Sequence, residues 1–300
     1  MREVLNYYYN LDNQNIIKKD NNYYFLNYIV LEYTRNLDEV NDIFNINKYN
    51  DKLKIIVNKQ KQILFLYNNK YYMLIKYINI LDNYNIDLLD ILEMQRKSIG
   101  EKANFKYFKW IQLWSKKIDY YEYQIEHLNI KYYKLMNVLP YYIGLAENAI
   151  SYLTDSLIDL APTILDNLTI SHKRVSSKYK QNDLYNPLNI IIDHKARDIA
   201  EYIKSSFYNK TLNIEELDKM FLEIRLSDLG YHILFARLLF PSNFFDIYDR
   251  IINSQMDIKN INIILENSIE YEELLVDLFY IIKKYTNLKN IDWLTKKKYY

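Results

Sequence analysis

The spacing of apolar residues changes once along this chain, near residues 80–86, and that change bears on every later choice of fold. Before it, apolar residues come in short β-rich runs broken by Asn, Lys and Gln. After it they recur at helical spacing over long stretches. The first pattern suits strands, whose side chains alternate between two faces, and the second suits amphipathic helices. Strands followed by helices, without regular alternation of the two, point to an α+β arrangement. We place a small β-rich lobe at residues 1–82 and a larger, mainly helical lobe at 83–300, joined as one bilobal unit.

Within the first lobe, "NIIKKDNNYYFLNYIV" holds two β-rich runs around Asp20-Asn21-Asn22, a hairpin turn. "NLDEVNDIFNI" then sets Leu37, Val40, Ile43 and Phe44 at helical spacing. Three more apolar runs follow, separated by "NKQKQ" and "NNK". The predicted order is strand, strand, helix, then three strands. In the second lobe "IDLLDILEMQRKS" reads as a helix closed by Gly100. Trp110, Trp114, Ile118, Tyr121, Ile125 and Leu128 form one core-facing stripe, and Ile143, Ala146, Ile150, Leu153 and Leu157 form another. A short strand, "NIIID", ends at Asp193. Helices resume with "ARDIAEYIKSSFY", "IEELDKMFLEI", "YHILFARLLF" (stopped by Pro241), "FFDIYDRII" and "IEYEELLVDLFYIIKKY".

Composition excludes several functions. The chain has 3 glycines, Gly100, Gly144 and Gly230, far apart, so no glycine-rich phosphate loop and no serine nucleophile elbow can be built. It has no cysteine, which removes disulfides, thiolate metal sites and Cys nucleophiles, and fits a reducing compartment. A net charge of +1 gives no field suited to nucleic acid or an anionic membrane. With 33 tyrosines, the interleaving of aromatics and lysines follows from abundance alone. The Lys-rich "TKKKYY" at the C-terminus reads as a solvated tail. No window approaches a membrane span, and "MREVLNYYYNLDNQN" lacks a secretory signal, so a cytoplasmic location is expected. The four histidines, His127, His172, His194 and His232, form no metal-binding pair in sequence.

A helix inserted among the strands of the first lobe resembles the small lobe of a kinase fold. "GLAENAISYLTDS", a connector, a histidine loop, an apolar run ending in Asp and then "RDIAEYIK" are similar to the aminoglycoside and choline phosphotransferases. "YYIGLAENAI", "DHKARDIAEYI" and "FARLLFP" resemble more closely the CotS/YutH spore-coat kinase-like proteins of Firmicutes. The resemblance runs over most of residues 15–270 and is most specific from Gly144 to Pro241.

That resemblance implies a protein-kinase-like, aminoglycoside phosphotransferase-like fold, and it also shows what is missing. Phosphoryl transfer needs a phosphate-binding lysine, a carboxylate that orients the acceptor, and Asn and Asp ligands for Mg²⁺. Active relatives read His-Gly-Asp with an Asn five residues on; this loop reads His172-Lys173-Arg174, with Tyr179 in the Asn position. A guanidinium cannot accept a proton, so Arg174 inverts the catalytic position. Asn27 falls about where the nucleotide lysine would be; Lys76 belongs to a later strand and is the alternative, a migrated lysine that an active site would use. Asp193 stands where the family binds metal, with Asn182 nearby, and an active enzyme would have to use these two. His172 corresponds to a histidine that braces the loop. Asp198 matches a structural aspartate that in the family holds the loop from a helix start, but the reading favoured here is a first-turn carboxylate that satisfies helix N–H groups.

The reading that follows is a pseudokinase with a protein partner in coat or envelope assembly, and the alternative is an active small-molecule or protein kinase with a rearranged site. No cofactor is expected, the alternative being ATP with Mg²⁺. Lys173 and Arg174 add two cations to the cleft between the lobes, which are expected to close it through a salt bridge from Arg174 to Asp193, the alternative being that they hold an anion.

Overall fold

The computed structural model describes residues 1–12, 15–78, 84–98, 109–127 and 132–295. It opens with a helix that the sequence pattern did not announce, α1 (Arg2–Tyr9). Only Leu5 of this helix is fully buried, so its apolar signal is weak.

Three strands follow, β1 (Ile17–Lys19), β2 (Asn22–Phe25) and β3 (Tyr28–Glu32). The second expected run thus divides in two. Leu26 takes φ 47° and leaves its side chain in solvent, a turn that no Gly or Asn at that position signals. Asn36 accepts a hydrogen bond from the Asp38 backbone and starts a short 3₁₀ turn, Leu37–Glu39, that runs into α2 (Val40–Ile46). As expected, this helical segment is flanked by strands. β4 (Leu53–Ile56), β5 (Leu64–Tyr67) and β6 (Lys70–Tyr77) complete the lobe.

The sheet is antiparallel in the order β1-β2-β3-β6-β4. β5 continues the line of β4 along β6, for Ile56 stands opposite Leu74 and Leu64 opposite Met73. Alternation sorts the side chains. Ile29, Leu31, Ile55, Met73 and Ile75 face the main core, which continues into the helical lobe. Phe25, Val30, Phe65, Tyr72 and Leu74 face the other way and pack with Leu5 of α1.

The proposed boundary at residues 82 and 83 lies outside the described residues, as do Gly100, Leu128 and all but the first residue of "TKKKYY". The helical lobe begins with α3 (Leu88–Arg96), started by reciprocal bonds between Asp87 and Asp90. Then come α4 (Trp110–Ile125) and α5 (Tyr133–Asp159), which carries Pro140 in its first turns. β7 (Thr169–His172) pairs antiparallel with β8 (Ile190–Asp193), and α6 (Gln181–Leu184) lies between them. The remaining helices are α7 (Ala196–Tyr208), α8 (Ile214–Met220), α9 (Asp228–Leu239), α10 (Ser242–Ile252), α11 (Asn262–Glu266), α12 (Ser268–Ile282) and α13 (Asp292–Thr295).

The two stripes are core along most of their length. Trp110, Trp114, Ile118, Tyr121, Ile143, Ala146 and Leu153 are buried, while Ile125 and Ile150 are partly so. Leu157 departs from the pattern: it is 39% exposed, because the burial of α5 fades near its C-terminus. The centre of the lobe is α9, buried on nearly every side and packed between α5 and α7. Its Ser227 cap bonds the Gly230 backbone, and a Cβ on Gly230 would meet Leu226 Cβ at 3.1 Å and Ser227 Oγ at 3.2 Å. The small lobe is tied down by Asn50 Nδ2 donating to Tyr185 O at 3.0 Å. Among the described residues, no helix is long and apolar enough to cross a membrane.

Candidate functional site

The histidine loop leaves β7 directly beneath α7. His172 is fully enclosed, and its backbone N–H donates to Asp198 Oδ1 at 2.9 Å. Its ring is held on both sides, Nδ1 facing Asp198 Oδ2 at 2.7 Å and Nε2 facing Leu184 O at 2.8 Å. Both neighbours are acceptors, so the ring is an imidazolium that donates twice. Burial alone would lower its pKa; the charge and hydrogen bond of Asp198 and the Leu184 carbonyl outweigh that and raise it. Both Asp198 oxygens therefore serve the loop. This corrects the expectation that the carboxylate caps its own helix.

Arg174, two residues beyond His172, turns toward α10. Its Nε and NH2 grip Asp246 of α10 at 2.7 and 2.8 Å, a bidentate pair. Glu201 lies 3.9 Å from Arg174 Nε and 3.0 Å from Arg237 NH2. Although burial pushes the Glu201 carboxyl up, Arg174, Lys204, Arg237 and Arg197 bring it down to about 2. Lys204, fully buried, donates to Phe240 O at 2.7 Å and Ser242 Oγ at 3.0 Å, and burial lowers its pKa to about 7. Tyr179, five residues beyond Arg174, is partly buried, and its carbonyl accepts the Ile86 N–H.

The expected salt bridge between Arg174 and Asp193 does not form. Asp193 is wholly buried at the end of β8, and Arg197 reaches back to it from the first turn of α7, 2.9 Å from Oδ2. Trp110 Nε1 donates to the same oxygen at 3.0 Å, and the His194 backbone N–H donates to Oδ1 at 2.8 Å. Arg197 is four residues from Asp193 in sequence, whereas Arg174 has a carboxylate of its own on α10. The Trp110 ring in turn lies under Arg237, whose guanidinium carbon is 4.6 Å from the ring centroid.

Mg²⁺ in the family's manner does not fit these residues. It demands near-ideal octahedral oxygen coordination, and both carboxylate oxygens of Asp193 already accept hydrogen bonds within a sealed pocket. Asn182, the other suggested ligand, sits exposed on α6.

The upper wall of the cleft holds no lysine on β3. Asn27 lies in the turn before that strand, exposed, with Nδ2 donating to Tyr77 O at 3.3 Å. The β3 residues that face the main core are Ile29 and Leu31. Lys76 shares the parity of Tyr72 and Leu74 and so lies on the opposite face of the sheet, its ammonium 5.7 Å from the Tyr28 ring centroid. Two cations cross between the lobes among the described residues: Lys97 meets Asp51 at 3.1 Å, and Arg35 reaches from the small lobe to the helical one. It pairs with Glu39 at 2.5 Å and donates to the carbonyls of Leu188 and Ile190. Lys173 lies beside this pair: burial and Arg35 lower its pKa, and Glu39 partly offsets them.

The other histidines lie outside this loop, His194 and His232 buried and His127 exposed. His194 meets Asp166 at 3.2 Å, His232 meets Ser156 Oγ at 2.9 Å, and His127 meets Tyr123 O at 2.8 Å. Sequence reasoning missed Trp110, Arg197, Arg35 and Asp246. Of these only Arg197, four residues after Asp193 at a helix start, carried a local signal.

With this geometry the comparisons can be stated. A family model described as "Spore coat putative kinase YutH" matches residues 5–278. The endospore coat-associated protein YutH of Bacillus subtilis (strain 168) is 28% identical over 243 residues, covering 73% of this chain and 72% of that one. An aminoglycoside phosphotransferase from Alicyclobacillus acidocaldarius superposes with a TM-score of 0.65 at 10% identity, covering 90% of this chain and 93% of the other. Spectinomycin phosphotransferase, in complex with ADP and spectinomycin, gives a TM-score of 0.52 at 12% identity, covering 93% and 97%. Its AMP-bound complex gives 0.55 at 11%, covering 94% and 96%. These structures establish the bilobal phosphotransferase fold.

Proposed function

Because the chain belongs to the YutH family of spore coat kinase-like proteins, we propose that it is a coat-associated scaffold that keeps the phosphotransferase fold without transferring phosphate. The observation that carries this reading is the state of Asp193. The carboxylate that corresponds to the family's metal ligand is enclosed, and Arg197, Trp110 and the His194 backbone use both of its oxygens. Arg174 supports the same reading, since a guanidinium bound to Asp246 can neither take a proton nor orient a hydroxyl. The apolar β3 residues Ile29 and Leu31 add a third loss, the phosphate-binding cation. Three losses together leave little for compensation to act on.

The reading is tested by incubating the purified protein with labelled ATP, Mg²⁺ or Mn²⁺ and coat extracts. No labelled product above a protein-free blank is the expected outcome. Product that disappears in Asp193→Ala would establish an active enzyme with a rearranged site and overturn the proposal. The scaffold role is tested separately, by recovering the protein from sporulating cells. Coat proteins are expected to accompany it at fixed stoichiometry, and recovery of the chain alone counts against scaffolding.

A further inference from the structure

A pocket of about 490 Å³ lies between α3, α7 and the segment that follows α8. It contains neither Asp193, His172 nor Arg174, and so stands apart from the loop discussed above. Leu92, Leu165, Ile199, Ile224 and Leu226 supply its apolar wall. Three cations, Arg96, Lys195 and Arg225, line it against one carboxylate, Glu223. Arg96 and Glu223 neutralise each other at 3.3 Å. The Lys195 ammonium donates to the Arg225 carbonyl, and the Arg225 side chain stands exposed at the edge. The pocket therefore carries an excess of positive charge beside an apolar surface.

Gln95 adds an independent observation. It lines the same pocket and is only 3% exposed. Its Nε2 donates to Lys195 O at 3.2 Å, which fixes the orientation of the amide. Its Oε1 is buried and, among the described residues, has no hydrogen-bond donor. A buried amide oxygen without a donor is costly and uncommon in folded proteins, and a small shift of the side chains that cover it lets a bound molecule bring the donor.

We propose that this pocket binds a small amphipathic anion. Its apolar body lies against the Leu and Ile side chains, one N–H or O–H group reaches Gln95 Oε1, and its carboxylate sits beside Arg225 and Lys195. The volume falls within the range of small-molecule sites, and the lining has their usual composition, mostly apolar with a few placed polar groups. A free acylated amino acid and the carboxyl end of a peptide with apolar last residues share this chemistry.

Calorimetric titration of the full chain tests it with N-acetyl-leucyl-leucine, with the same compound carrying a C-terminal amide, and with octanoate. The acid is expected to bind saturably, and both the amide and octanoate about five- to tenfold more weakly, each having lost one polar contact. Gln95→Leu should weaken the acid by a similar factor while circular dichroism stays unchanged. Arg225→Ala, at an exposed position, tests the charge without risk to folding and should bring the acid down to the affinity of the amide. A ten-residue peptide ending in Leu-Leu separates the sources: affinity equal to the dipeptide assigns the site to a chain end, and loss of binding assigns it to a free small molecule. No saturable binding of the acid at millimolar concentration overturns the proposal. So does equal binding of acid and amide, or binding that neither substitution changes.

Discussion

The back and the front of the histidine loop differ in what holds them. At the back, His172 and Asp198 are fully buried and meet at 2.7 Å, with the backbone N–H of His172 adding a second bond to the same carboxylate. At the front, Arg174 is 45% exposed and its carboxylate partner Asp246 is 37% exposed. The two are similar ion pairs in sequence terms, yet solvent gives them different weights. A buried pair that loses one member leaves a charge with no water to receive it, whereas an exposed pair exchanges protein for solvent at little cost. The position of the loop thus depends on its back, while the front is held by a pair that solvent can replace.

The sharpest test removes the carboxylate at the back. Asp198→Ala should lose about 3–5 kcal/mol of unfolding free energy, measured by denaturant titration, because His172 and its N–H are left buried without their acceptor. A loss below about 1 kcal/mol would show that the brace contributes no more than a surface pair.

A second, smaller effect is a pH dependence. The His172 pKa is raised in the folded state, so its stabilisation is fully present below the unfolded value of about 6.5 and is lost as pH rises through the folded value. Lys204 acts in the opposite sense: burial lowers its pKa from 10.5 to about 7, so stability increases as pH rises between those values. Unfolding titrations across this range should therefore separate the two. His172→Gln is expected to remove a falling component and Lys204→Met a rising one. Parallel profiles for His172→Gln and the parent would refute the imidazolium assignment.

The smallest effect belongs to the front. Arg174→Ala should change stability by about 1 kcal/mol or less, with the loss reduced further by salt. A cost comparable to that of Asp198→Ala would mean that Glu201, buried 3.9 Å from Arg174, depends on it for neutralisation despite Arg237.

Much of the fold was readable because the relevant signals are local. The helical segment between strands, the strand ending at Asp193 and the helix starting "ARDIA" follow from apolar period and capping residues a few positions apart. The same locality explains the omissions. α1 buries one residue completely, and the turn at Leu26-Asn27 uses a leucine in a left-handed conformation, so neither leaves a pattern to read. The assignment of Asn27 to the interior of a strand depended on that unseen turn.

The sequence by itself determined that residue 174 cannot act as a base, since no environment makes a guanidinium one, and it determined that no glycine-rich loop holds phosphate. It could not determine which groups would neutralise the charges left behind. The partner of Arg174 is 72 residues away, on α10. The indole that covers Asp193 is 83 residues before it, on α4. Only the packing of those helices around α7 and α9 brought the partners within hydrogen-bond distance, because a buried charge pairs with whatever the tertiary fold places beside it.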